Sequence, residues 1–143
     1  MDKEIRTKLR QLMERFLQQS SLKYTIDEEG DFRVFFKVEE IPAYVQVVLM
    51  AAGTHGEILS IVSRFETPHF LLAEEDALVL ANNWNIENRW PRIYWLDGNF
   101  YGDFHLDVEC GLPSAFVHHT LRRLLSAILQ FLLYIGNQAG DKG

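Results

Sequence analysis

The sequence predicts an α+β fold: an antiparallel sheet with three helices, in the order α-β-β-β-β-α-β-β-α. Three observations carry that prediction. Apolar residues recur at helical spacing in three segments, near the start, middle and end of the chain. Four short runs with strand-like patterning lie between the first two of these segments. A further pair of runs, between the second and third, flanks the dipeptide Asp97-Gly98, a strong signal for a two-residue hairpin turn. Strands so closely spaced leave no room for crossover helices, so they pair antiparallel.

Asp2 is placed to cap the first helix, and Ile5, Leu9, Leu12, Met13 and Phe16 form its apolar stripe. Glu4 and Lys8 pair on the exposed side, and the helix is expected to end near Ser20. "LKYTIDEE" leads into a turn at Gly30. In "DFRVFFKVE", Phe32, Val34, Phe36 and Val38 share one face, with Arg33, Phe35, Lys37 and Glu39 on the other. "AYVQVVLMAAG" and "EILSIVSRFE" follow, joined by "GTHG" as a turn. Thr67 and Pro68 suit the start of the second helix, read through "HFLLAEEDALVLANNWN", with Leu72, Ala77, Leu80, Ala81 and Trp84 near one face. Asn88 is expected to end it, because Pro91 cannot continue a helix.

"PRIYWL", the Asp-Gly turn and "FYGDFHLDVEC" form the last hairpin. Phe104, Leu106, Val108 and Cys110 are expected inward, and Asp103, His105, Asp107 and Glu109 outward. Val117, Leu121, Leu124, Leu125, Ile128, Leu132 and Ile135 then stripe a helix from about Ser114 to Ile135. Phe131, Leu133 and Tyr134 fall off that stripe, so its last turns are expected to be covered on more than one side. The chain reads as one domain over residues 1–136 and a polar, flexible tail over 137–143.

Composition narrows the function classes. The chain has 143 residues, 48% of them hydrophobic and 24% charged, which suits one folded core. Its formal net charge of −6 repels phosphate backbones and anionic lipid, so nucleic-acid and membrane partners are not expected. The longest apolar stretch, Leu124–Ile135, is too short for a bilayer and is interrupted by Ser126 and Gln130. The single cysteine, Cys110, allows no intrachain disulfide, and the charged start "MDKEIRTKLRQ" does not read as a signal peptide. A cytoplasmic protein is expected.

No residue group reads as a catalytic, cofactor or metal site. The acidic strand face Asp103, His105, Asp107 and Glu109 offers carboxylates and an imidazole roughly 7 Å apart, the types that bind a divalent cation or move protons. A half-buried strand shows such a polar face to solvent in any case. His118 and His119 are adjacent rather than four residues apart, so they do not form a helical zinc pair. Cys110 reads as a small buried hydrophobe. The composition of "NNWNIENRWP", residues 82–91, is the most unusual in the chain. Asparagine tolerates the left-handed conformation at a helix end, its amide can satisfy free carbonyls there, and Trp84 and Trp90 can lock a helix onto a sheet. Arg89 would complement the helix dipole. The competing reading makes Trp84, Asn85, Arg89 and Trp90 a ligand site.

Surplus apolar surface points elsewhere. Phe35 lies on the polar side of its strand. In "AYVQVVLM" both alternating sets are apolar, with Tyr44, Val48 and Met50 on the side away from Val45, Val47 and Leu49. One layer of helices covers only one sheet face, so Phe35, Tyr44, Val48 and Met50 form a candidate interaction surface for a second subunit or a client segment.

The stretch from Ala73 to Tyr134 resembles the YbjN family of small bacterial proteins. The resemblance rests on an N-x-W-N-like helix end, a polar turn, a strand, an Asp-Gly turn, an acidic-apolar strand, a glycine break and a long last helix. Asn82 or Asn83, Trp84, Asn85, Arg89, Asp97, Gly98, Asp107 and Gly111 occupy the matching places, with Trp90 closing the helix-end motif. The resemblance implies a fold like that of type III secretion chaperones, which are small, acidic, often dimeric and bind extended client segments. It also implies a role in sensory transduction. The expected function is a non-catalytic, homodimeric protein-interaction domain, a chaperone-like or regulatory adaptor in bacterial stress or sensory regulation, with acidic residues selecting basic clients. The alternative is a small-molecule or metal-sensing regulatory domain.

Overall fold

A computed structural model describes residues 2–39, 41, 43–66, 72–111 and 113–142. The elements are α1 (Asp2–Gln19), β1 (Tyr24–Ile26), β2 (Phe32–Lys37), β3 (Tyr44–Ala52), β4 (Ile58–Glu66), α2 (Glu74–Glu87), β5 (Arg92–Leu96), β6 (Asn99–Asp107) and α3 (Ser114–Lys142). The order is the expected one. The strands form one six-stranded antiparallel sheet, arranged β1-β2-β3-β4-β6-β5.

The two faces of the sheet follow from alternation. Phe32, Val34, Val45, Val47, Leu49, Leu59, Ile61, Phe65, Ile93 and Phe100 point to the inner face and are buried. The stripe of α1, extended by Leu17, and all seven predicted stripe residues of α3 close over them. Phe131, off that stripe, is fully buried and sits at the centre of an aromatic cluster. Its ring lies 4.9 Å from Phe65, 5.3 Å from Phe100, 5.2 Å from Trp84 and 6.1 Å from Tyr134. The side chain therefore joins sheet, α2 and α3 in one core.

Local chemistry sets the element ends. α1 closes with Ser21 in the left-handed region at φ 55°, while Leu22 N–H donates to Leu17 O and Ser21 N–H to Gln18 O, a Schellman ending. Asp97 and Gly98 both have positive φ, as the twist-matched two-residue hairpin requires.

Four expectations are corrected. The second helix begins at Glu74, so Leu72 precedes it; the Thr67–Pro68 start lies outside the described residues. Glu74, Glu75 and Asp76 occupy the first turn, where carboxylates complement the free N–H groups. Second, Cys110 is exposed. β6 ends at Asp107, whose carboxylate accepts from Glu109 N–H at 2.9 Å, and this local turn stops the alternation before Cys110. Third, α3 continues through Lys142, past its expected end at Ile135. Gly136 does not break the helix; a Cβ there would meet Ile41 at 2.7 Å, so glycine allows a close approach. Fourth, Asn88 ends α2 in an extended conformation (φ −128°, ψ 145°) rather than the left-handed one.

Candidate functional site

The helix-end motif does structural work. Trp84 is buried, donates from Nε1 to Pro91 O at 3.2 Å, and packs on Phe131 and Tyr134 of α3. Asn85 Nδ2 donates to Ile93 O at 2.9 Å, and its Oδ1 accepts from Ile93 N–H at 3.0 Å. One side-chain amide thus occupies the backbone position that a further strand would take beside β5. Asn88 donates to Trp84 O from its side chain at 3.1 Å and from its backbone at 2.8 Å, satisfying a free helix carbonyl. Trp90 rests edge-on against Phe104, with the Arg123 guanidinium over its ring at 5.3 Å. Asn82 and Arg89 are exposed. Trp84, Asn85, Arg89 and Trp90 therefore do not converge on one cavity.

The acidic strand face divides. Asp107 and Glu109 are exposed and engage each other through the local turn. Asp103 is nearly buried and takes two hydrogen bonds from Arg92, at 2.9 and 2.6 Å. His105 Nε2 lies 3.4 Å from the same carboxylate, and its Nδ1 lies 2.7 Å from Ser60 Oγ. Burial pushes the Asp103 carboxyl upward, but the Arg92 hydrogen bonds and charge, then His105, outweigh it and hold it below the ordinary value.

Ser60, His105, Asp103 and Arg92 thus form a hydrogen-bonded row across β4, β6 and β5. Ser60 is 1% exposed and sits in a central strand, so the ladders on both sides occupy the surrounding backbone N–H groups. A serine–histidine–aspartate set needs free donors for a developing oxyanion, and this row presents its serine without them. Among the described residues, no group of three or more His, Cys, Asp or Glu side chains could hold a metal ion.

Sequence reasoning missed Ser60 and Arg92. The Asp97-Gly98 turn contained the signal for Arg92: a two-residue loop pairs Leu96 with Asn99 and hence Arg92 with Asp103. His118 packs edge-on against Phe16 at 5.1 Å, and His119 Nδ1 lies 3.3 Å from Arg122.

The interaction-surface candidates do come together. Phe35, Tyr44, Val48 and Met50 all lie on the outer sheet face, opposite the helices. Phe35 is 54% exposed and its ring lies 4.8 Å from that of Tyr44. Beside it runs a groove of about 560 Å³ lined by Lys23, Thr25, Arg33, Phe35, Gln46 and Val48. Met50 sits one pleat further along β3, opposite Ser60. The rim is basic, which corrects the expected acidic one. Lys23 and Arg33 line the groove, Lys37 follows Phe35 along β2, and Arg64 lies opposite Gln46. Asp27 and Glu66 pair with Arg33 and Arg64, while Lys23 and Lys37 add positive charge. The chain's net charge does not describe this face.

Residues 9–136 match the YbjN family, described as "Putative bacterial sensory transduction regulator". The chain belongs to the YbjN family. The match spans the inner core, the sealed β5 edge and the outer groove alike. No curated protein matches the chain. Among the described residues, no helix is long and apolar enough to cross a membrane.

Proposed function

We propose that this YbjN chain is a non-catalytic, cytoplasmic interaction domain in bacterial sensory or stress regulation, binding an extended protein segment on its outer sheet face as an adaptor or chaperone-like module. One observation carries the reading: Phe35, more than half exposed, stands beside a groove with an apolar floor and a basic rim on the face away from the helices. Large aromatic side chains contribute strongly at interfaces, and charge at the rim selects partners and speeds encounter. The favoured client is an extended segment of apolar residues flanked by Asp or Glu. β1, three residues long at the sheet edge, offers backbone groups for strand addition beside the groove.

The test is fluorescence anisotropy with labelled peptides that share an apolar centre and carry acidic or basic flanks. The acidic set should bind more tightly, lose affinity with added salt, and lose at least about tenfold with Phe35→Glu while the melting temperature holds. Equal binding of both sets, or no effect of Phe35→Glu, contradicts the reading.

A further inference from the structure

A second exposed apolar surface lies on α2. Ala77, Ala81 and Trp84 are its buried side. On the opposite side Leu78 is 50% exposed, Val79 57% and Ile86 72%. At 100° per residue these three cluster with Glu75 and Asn82 on the solvent-facing half of the helix. Glu74, Glu75 and Asp76 fill the first turn and Glu87 ends the helix, with no basic residue in its last turn. The surface is therefore an apolar stripe with an acidic first turn and with Glu87, then the exposed Arg89, at its far end, and the groove beside Phe35 is an apolar floor with a basic rim.

We propose that these two surfaces are partners between two copies of the chain: α2 of one copy docks in the Phe35 groove of the other. Charge and position both point to a second copy. Groove against groove would set Lys23 and Lys37 against their own equivalents, and antiparallel α2 against α2 would set Glu74 and Glu75 against Glu87. The crossed arrangement sets Lys23 and Lys37 of one copy against the α2 carboxylates of the other. A helix cannot reach its own groove, because α2 packs on β5 while the groove lies over β1, β2 and β3 at the other end of the sheet. Four strand spacings, roughly 19 Å, separate β2 from β5. Because the groove faces away from the helices and lies at the other end of the sheet from α2, the contact is head-to-tail: each copy gives its α2 to one neighbour and receives α2 from another.

This inference rests on the outer face being a docking surface, and it adds that the chain itself supplies one occupant. A client segment then competes with self-association.

The test is sedimentation velocity of the full chain. Wild type should self-associate, less so at high salt. Lys23→Glu/Lys37→Glu and Glu74→Lys/Glu75→Lys should each weaken association at least about tenfold. An equimolar mixture of the two variants should recover it, and so should one chain carrying all four changes. Ile86→Asn, at a position 72% exposed, should weaken association without lowering the melting temperature. A wild-type chain that stays monomeric throughout, or charge variants that do not rescue each other, overturns the proposal. Acidic-peptide binding by a monomeric chain would overturn this inference alone, leaving the docking face intact; loss of both overturns both.

Discussion

The two ends of the sheet solve the same problem in opposite ways. At the β5 end, α2 packs along the edge strand and Asn85 fills the open hydrogen-bonding position at Ile93. Trp84 and Trp90 anchor that end to α3 and β6, and Arg92 neutralises Asp103. At the β1 end the edge strand has three residues, Ile26 is 55% exposed, and the groove opens beside Phe35. Exposed edges invite pairing with another chain, and proteins commonly cover them or keep them short. Here one edge is covered and the other is short beside a groove. The residues that look most like a site in the sequence build the sealed end. The open end is built from ordinary ones, so unusual composition marks where the chain is pinned, and surplus apolar area marks the face that the helices leave uncovered.

Breaking the sealed end should have the largest effects. Trp84→Ala removes a buried ring that packs on Phe131 and Tyr134 of α3 and donates to Pro91 O, and should cost about 3–5 kcal/mol, read as a lowered denaturation midpoint. Asn85→Ala leaves Ile93 without its side-chain partner at the edge and should cost about 1–3 kcal/mol. It should also speed amide exchange at Ile93, and unchanged exchange there would show that the edge is sealed by something else. Asp103 sharpens the contrast through pH. Its carboxyl is held below the ordinary value, so at acid pH the unfolded state binds more protons than the folded one. Its stabilising contribution is present above the ordinary carboxylate range and fades as pH falls through the lowered folded value. Asp103→Asn should therefore flatten the acid limb of a stability–pH curve, and an unchanged limb would count against the Arg92 pairing. Phe35→Glu comes last, shifting stability by no more than ~0.5 kcal/mol because the ring is already exposed. A large loss there would make Phe35 a core residue and collapse the comparison.

Much of the fold was legible in local pattern. The α3 stripe and the α1 stripe from Leu9 to Phe16 are buried as their spacing requires, with Ile5 half-buried, and Asp97-Gly98 set the last hairpin. The start of α2 was misplaced because Pro68 is a strong local signal, whereas three consecutive acids at Glu74–Asp76 signal a first turn through the dipole. The last helix was expected to end at Ile135 because the segment after it is polar, and the packing of Gly136 against Ile41, distant in sequence, leaves no local signal. The Ser60–His105 contact depends on β4 pairing with β6, and nothing local encodes that non-sequential pairing. The exposed apolar outer face was legible in the second apolar set of β3 and in Phe35. Its basic rim was not, because Lys23 precedes β1 while Lys37 and Arg64 lie in β2 and β4, and only the formed sheet brings them to one face.

The most direct test of the open end is amide chemical-shift mapping of the labelled chain, titrated with a peptide of apolar residues flanked by acids. In the Glu74→Lys/Glu75→Lys chain, whose α2 no longer occupies the groove, the account predicts shifts confined to β1, β2 and the outer positions of β3, with the Trp84–Trp90 segment and the Asp103–His105 row unchanged. Shifts centred on that segment or that row, with β1 to β3 silent, would contradict it and move the working surface to the other end of the sheet.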